Sequence, residues 1–186
     1  ESKADLLSSQ ALASLALGEN QRARKLIDRA LEAQSDSVPA LLAQARMLAS
    51  QGDFPGAELA LATLTSLDAE NAQAWHLIGD IRVEQRKPDE AREAYGKSIA
   101  LAEGNYSALF KRALVALQAK DYEAAQLDAD ELIRIAPNQP SAGYVQGLIH
   151  FQAGRFKEAV TSLSVAEPAF TQFPMILFYL ASAQFA

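Results

Sequence analysis

Cysteine is absent from the sequence, and histidine occurs only twice. Without a thiol the chain can form no disulfide, no thiolate nucleophile and no cysteine-based zinc site, and the redox state of its compartment stays undetermined. Glycine and proline are also scarce, at 9 and 7 of 186 residues, while 49% of the residues are hydrophobic. This composition excludes collagen-like sequence and low-complexity disorder, and it predicts a chain that is folded throughout.

Positive charge is in deficit, because 17 Lys and Arg stand against 23 Asp and Glu, giving a net charge of -6 and a pI near 5.0. Such a surface repels phosphate backbones and anionic lipids, which argues against nucleic acid as a partner. No apolar run approaches the roughly 18 residues of a membrane-spanning segment, and the first residues are unlike a signal peptide. Since the chain begins at Glu1 and not at Met, we expect it to be a piece of a longer protein.

Small residues recur at intervals of 34 in two series. The members are Ala11, Ala45, Gly79, Ala113, Gly147 and Ala181 in the first series and Ala23, Ala57, Ala91, Ala125 and Ala159 in the second. Large apolar residues lie four positions from most members, which is the spacing of one helix face. Small residues at matched points let two helix backbones approach closely, so the repeat predicts helix pairs that stack on neighbouring pairs.

Turn residues recur with the same period of 34 residues. Gly18, Gly52 and Gly154 occupy the position at which a helix ends in a left-handed residue, and Arg86 and Lys120 at the same position are expected to carry a modest penalty. Between repeats, N-cap residues combine with prolines, as in Asp36-Ser37-Val38-Pro39, and Phe173-Pro174 marks the last of these turns. The predicted first helices of each repeat (helix A) cover about 4–17, 38–51, 72–85, 106–119, 140–153 and 174–186, and the second helices (helix B) about 20–34, 54–68, 88–102, 122–136 and 156–168.

The copy at 72–105 carries the clearest motif. Trp75, Ile78 and Gly79 fit a Trp-x-x-Leu-Gly element, and Ala91 and Tyr95 fit the small and aromatic positions of helix B. In these residues and in its length the copy resembles the tetratricopeptide repeat family. The resemblance implies an all-α, right-handed α-solenoid.

The resemblance extends over nearly the whole chain and implies a single solenoid domain, 1–186. Its predicted repeats are 4–37, 38–71, 72–105, 106–139 and 140–173, followed by helix A of a sixth repeat at 174–186. The sequence departs from the family pattern in two respects. The proline near each repeat's end is present only as Pro137, and the usual tyrosine of helix A is replaced in every copy.

Few side chains are candidates for catalysis or metal binding. His76 and His150 lie at different phases of helix A and do not form an i, i+4 ligand pair, so we interpret His150 as a packing residue and His76 as a groove residue. Asp128, Asp130 and Glu131 are a possible carboxylate cluster, but the sequence favours a solvated helix face for them. Because no phosphate loop, nucleophile elbow or zincin motif occurs, we predict a non-catalytic chain without metal or cofactor.

In the family, a concave surface lined by the second, fifth, ninth and twelfth positions of helix A binds protein or peptide. The resemblance places a partner-binding groove at Arg46, His76, Asp80, Phe110, Leu114, Leu117, Tyr144, Leu148, Phe151 and Phe178. The fifth positions of four consecutive repeats carry rings, and the sealing of neighbouring helices is the alternative role for any one of them. Arg46 and Asp80 share the ninth position in adjacent repeats, and we expect them to face each other as an exposed ion pair.

The resemblance to the family also indicates which kinds of partner the groove is expected to bind. Some members hold a peptide's terminal carboxylate with Lys and Asn, but the corresponding positions here are Ser8, Leu12 and Ala43, which argues against a chaperone-tail receptor. The Ala-rich and Gln-rich helices are similar to bacterial repeat lipoproteins of exopolysaccharide synthesis and PEP-CTERM protein sorting. That similarity implies a periplasmic or envelope location, with the cytoplasm as the alternative. An architectural spacer or oligomerisation segment is the alternative function.

The C-terminal helix predicted from Pro174 has no helix B after it in the sequence. We therefore expect it to expose an apolar face that includes Leu177 and Leu180. Contiguous exposed apolar area predicts self-association of the chain, either end to end or by docking of this helix into the groove of another copy.

Overall fold

A computed structural model describes residues 2–137, 139–167 and 175–185 of the chain. These residues form α-helices and no β-strand. In chain order the helices are α1 (Lys3–Ala16), α2 (Asn20–Ala33), α3 (Val38–Ser50), α4 (Phe54–Leu67), α5 (Ala72–Glu84), α6 (Pro88–Leu101), α7 (Tyr106–Gln118), α8 (Tyr122–Ile135), α9 (Pro140–Gln152), α10 (Phe156–Ala166) and α11 (Ile176–Gln184). The alternation of helix A and helix B is therefore confirmed, with each described boundary within two residues of its prediction.

Most helix starts are stabilised by a side chain that precedes them. The Asn71, Asn105 and Asp121 side chains each accept a hydrogen bond from the backbone amide three residues later, at 3.0, 3.2 and 3.1 Å. Each bond satisfies one of the amides that a helix leaves unpaired at its start. The positions at which α5, α7 and α8 begin thus follow from local sequence.

The turn between helix A and helix B contains a left-handed residue in every complete repeat. Gly18, Gly52 and Gly154 have φ of 75°, 77° and 70°, and Arg86 and Lys120 at the same position have φ of 59° and 60°. The turn prediction is confirmed. The two non-glycine residues carry a conformational cost that the glycines avoid.

The second small-residue series forms the centre of the helix contacts. Ala23, Ala57, Ala91, Ala125 and Ala159 are all 0% exposed. In the first series, Gly147 lies so close to α10 that an added Cβ would sit 2.5 Å from the Leu163 side chain. The backbones approach here because nothing larger than hydrogen separates them, which confirms these residues as contact points.

The described residues divide into two compact units, Glu1–Gln85 and Arg86–Ala186. The first unit contains α1 to α5, and its buried leucines and alanines form two apolar clusters around Ile27 and Leu61. The second unit contains α6 to α11, with one cluster around Leu132 and Val145 and another around Leu163 and Ile176. A single solenoid domain over 1–186 stays a prediction.

One prediction about the C-terminal helix, the exposure of Leu180, is wrong. Leu177 is 50% exposed as expected, but Leu180 is only 7% exposed, because it packs with Leu163 and Ile176 in the last apolar cluster. Ala181, a member of the first small-residue series, is exposed, unlike Gly147 in the same series. The predicted helix start at Pro174, the turn at Phe173 and the end at Ala186 lie outside the described residues.

Candidate functional site

The histidines occupy separate, partly buried places. The His76 Nε2 atom lies 3.7 Å from the Asp80 carboxylate one turn along α5. The His150 Nδ1 atom is buried and has no hydrogen-bond partner among the described residues. Burial and, to a smaller degree, the nearby Arg155 charge lower the pKa of His150, so the ring is neutral at pH 7. Among residues 2–137, 139–167 and 175–185, no group of three or more His, Asp or Glu side chains is placed to hold a metal ion.

The interpretation of Asp128 as a solvated residue is wrong. Its side chain is only 5% exposed, and its carboxylate accepts hydrogen bonds from Arg112 Nε at 3.0 Å and Nη2 at 2.5 Å. The pair links α7 to α8 inside one repeat. Sequence reasoning missed it because the partner lies 16 residues away on another helix.

A surface pocket of about 310 Å³ lies beside this ion pair, where α6, α7 and α8 meet. Its two arginines are each paired with an aspartate, Arg112 with Asp128 and Arg92 with Asp121 at 2.8 Å. The hydrogen bond from the Ala124 backbone amide lowers the pKa of Asp121 below its usual value, and the contact with Arg92 lowers it to a smaller degree. The arginine charges are thus balanced within the protein, which disfavours the pocket as an anion site.

The predicted groove residues of the first unit, on α3 and α5, are polar, while Leu12 and Leu15 on α1 are partly buried against an apolar cluster. Arg46 is exposed and donates to the Gln73 side chain at 3.2 Å, and His76 and Asp80 are partly buried next to each other. The unit holds 7 Lys and Arg against 12 Asp and Glu, a net charge of -5. The pairing of Arg46 with Asp80 stays a prediction.

The helix A positions of the second unit are apolar. Phe110, Leu114 and Leu117 on α7 are each partly buried against the cluster that contains Leu132 and Val145. Each side chain therefore has one side in the core and another accessible to solvent. The unit holds 10 Lys and Arg against 11 Asp and Glu, a net charge of -1.

The same surface continues onto α9 and α11 through aromatic rings. The Phe151 ring meets Tyr179 edge to face at a centroid distance of 5.1 Å and Phe156 at 5.6 Å. Tyr144 packs partly buried against the last apolar cluster, and Leu148 on α9 is also partly buried.

Phe178, the last predicted groove residue, is 57% exposed and meets the neighbouring Tyr179 ring at 5.4 Å. Phe156 and Tyr179 were not predicted for this surface. An aromatic residue opens helix B at Phe54, Tyr122 and Phe156, and this periodic signal could have identified Phe156.

A hydrogen bond joins α7 to α9 at the start of this surface, between the Tyr106 hydroxyl and the Ser141 hydroxyl. It fixes the ends of the two helices that carry most of the apolar positions. In the described ranges, no helix is both long and apolar enough to cross a bilayer.

Sequence comparison identifies the repeats directly. Residues 14–81 and residues 76–140 each match the family described as tetratricopeptide repeat, and the two matches together span more than half of the chain. No curated protein matches the sequence. Members of this family bind proteins or peptides, which supports an interaction scaffold.

Solved structures share the fold at low sequence identity. PilF of Pseudomonas aeruginosa is 18% identical with a TM-score of 0.82, and the alignment covers 97% of this chain and 88% of PilF. PilW, a type IV pilus biogenesis factor, is 14% identical with a TM-score of 0.85, covering 99% and 87%. YrrB, a repeat protein with an unusual peptide-binding site, is 17% identical with a TM-score of 0.70, covering 96% and 90%. By its repeat matches, its helix pairs and these structural likenesses, the chain belongs to the tetratricopeptide repeat family and has its all-α solenoid fold class.

Proposed function

We propose that the chain is a non-catalytic scaffold that binds a protein or peptide segment on its helix A surfaces. The observation that carries the proposal is the row of partly buried apolar side chains at the fifth, ninth and twelfth positions of α7 and α9. Side chains of this kind are held in place by the core and still present apolar area to a ligand. Preorganised apolar area favours binding, because little conformational entropy is lost on association.

The test is a crosslinking pull-down with the double variant Phe110→Ala/Tyr144→Ala. Its control is Leu59→Ala/Leu127→Ala, which removes apolar side chains that are 71% and 68% exposed on helix B positions. We expect the first variant to lose the segments that the natural chain captures and the second to retain them. Circular dichroism of both variants verifies the fold. Equal capture by all three proteins would refute a helix A binding surface.

The proposed setting is export or sorting at a bacterial envelope, in systems such as exopolysaccharide synthesis or PEP-CTERM sorting. Its support is the similarity of the Ala-rich and Gln-rich helices to envelope repeat lipoproteins, together with the likeness of fold to PilW, a pilus biogenesis factor. Deletion of the gene in its host, followed by assays of polysaccharide release and of sorted surface proteins, tests this setting. Normal release and normal sorting would reject it.

An architectural or oligomerising role is the second proposed function, and the face of α11 favours it. Met175, Leu177, Phe178 and Phe185 are 48%, 50%, 57% and 91% exposed, so this helix presents apolar area that a second copy could cover. Sedimentation at micromolar concentration, with the natural chain and with Leu177→Lys, tests self-association. A monomer in both cases would refute it.

A further inference from the structure

The apolar helix A surface of the second unit has a uniform chemistry. We define this surface by six residues, Phe110, Leu114, Leu117, Tyr144, Leu148 and Phe151, all of them partly buried. Three of these side chains, on α7, pack against the cluster that contains Leu132, and Tyr144 packs against the last cluster. Phe151 meets two other rings edge to face. Such ring pairs add stability beyond burial alone, so Phe151 is held in position before a ligand binds.

The polar groups next to this surface on α7 and α9 are mostly uncharged. Ser107, Gln118 and Gln152 are exposed and can hydrogen-bond a peptide backbone. The charged residues of α7 are Lys111 and Arg112, and Arg112 is paired with Asp128. Burial, followed by the effect of Tyr179, raises the pKa of the Tyr144 hydroxyl, so it remains neutral at physiological pH. A charged ligand side chain would therefore lose hydration here and gain little from an opposite charge.

We propose that this surface selects an uncharged segment of a partner protein, one rich in aliphatic and aromatic side chains. The proposal rests on the proposed scaffold function and names the chemistry of its ligand. On helix A of the first unit, Arg46, His76 and Asp80 offer the contrasting chemistry, which would favour a charged ligand. The affinity for the segment comes from the burial of apolar area, because the six side chains of the surface are largely apolar.

The experiment selects peptides from a random decapeptide phage library on the full chain. One enriched peptide is then synthesised, and its affinity is measured at about 50 mM and about 500 mM NaCl. We expect the enriched peptides to lack charge and to carry leucine, phenylalanine or similar residues. Their affinity should change less than about twofold with salt, since screening weakens only charged contacts.

Three variants locate the binding surface. The double variant Leu114→Asn/Leu148→Asn keeps side-chain size and adds no charge. It should lower the affinity for the synthetic peptide about tenfold or more. Leu127→Asn, on the exposed side of α8, is the control and should leave the affinity unchanged. Arg46→Gln, on the first unit, tests the contrasting site, because a loss of affinity in this variant would place the peptide there. Urea unfolding of each variant separates loss of binding from loss of fold.

The outcomes distinguish this inference from the scaffold function. The inference would be overturned if the enriched peptides were charged, if their affinity fell strongly with salt, or if their binding required Arg46. Each of these outcomes would leave the scaffold function standing. Failure of any peptide to bind would overturn both. Binding of uncharged phosphatidylcholine vesicles that is lost in Leu114→Asn/Leu148→Asn, without peptide binding, would show a lipid surface and overturn the inference.

Discussion

The ion pair between Arg112 and Asp128 allows a quantitative test of what stabilises the second unit. Both carboxylate oxygens of Asp128 accept hydrogen bonds from Arg112, and the two side chains are 5% and 30% exposed, respectively. The variant Arg112→Ile leaves the carboxylate buried without its charge partner. Breaking a buried ion pair from one side costs about 3–5 kcal/mol. Because water can reach the place of the partly exposed guanidinium, we expect a loss of about 3 kcal/mol in the free energy of unfolding.

The repeat itself supplies a matched replacement for the pair. The residues 34 positions before Arg112 and Asp128 are Ile78 and Ala94. The double variant Arg112→Ile/Asp128→Ala therefore copies a combination that the chain already uses. Replacing a whole buried ion pair by apolar residues is often neutral or stabilising, so we expect the double variant to lie within about 1 kcal/mol of the natural chain.

Urea unfolding followed by circular dichroism measures all three proteins. The expected order of stability places the double variant near the natural chain and Arg112→Ile well below both. If Arg112→Ile costs less than about 1 kcal/mol, or if the double variant is as unstable as the single one, the pair does not act as a buried charge pair.

Three further substitutions test the packing, the turns and the pH response. Ala125→Leu should cost about 1–3 kcal/mol in urea unfolding, because the site is 0% exposed, and an unchanged stability would contradict the contact position. Lys120→Gly should raise the stability by about 0.5–1 kcal/mol, because its φ is 60°, whereas a lower melting temperature would count against a strained turn. The lowered pKa of His150, caused first by burial, means that the folded state binds the proton less readily than the unfolded chain. Stability should therefore be full above pH 6.5 and fall below it, and His150→Phe should remove that part of the pH dependence in thermal unfolding.

Much of the candidate surface was predictable because each repeat positions its residues in the same way. Phe110 and Tyr144 were assigned to it from their fifth position in helix A, and both are partly buried on helices that the structure places there. Their role in binding stays a prediction. The rings around Phe151 were only partly anticipated, because Tyr179 reaches it from another helix at a position that the family pattern does not mark.

The sequence by itself determined the features that depend on neighbours within a few residues. The caps at Asn71 and Asp121 and the left-handed turn at Gly18 follow from local backbone preferences. The left-handed turn at Lys120 and the buried alanine series follow from the 34-residue period. These interactions act within one turn or one helix pair, so they can be recognised from the pattern of residues in the sequence.

Only the tertiary structure decided which polar and apolar groups meet across helices. Asp128 is buried because the long Arg112 side chain on another helix reaches both of its oxygens, and Leu180 is buried while Leu177 is exposed because α10 covers one side of α11. The free energy of such contacts depends on distance and burial in three dimensions. A spacing of residues in sequence specifies neither quantity.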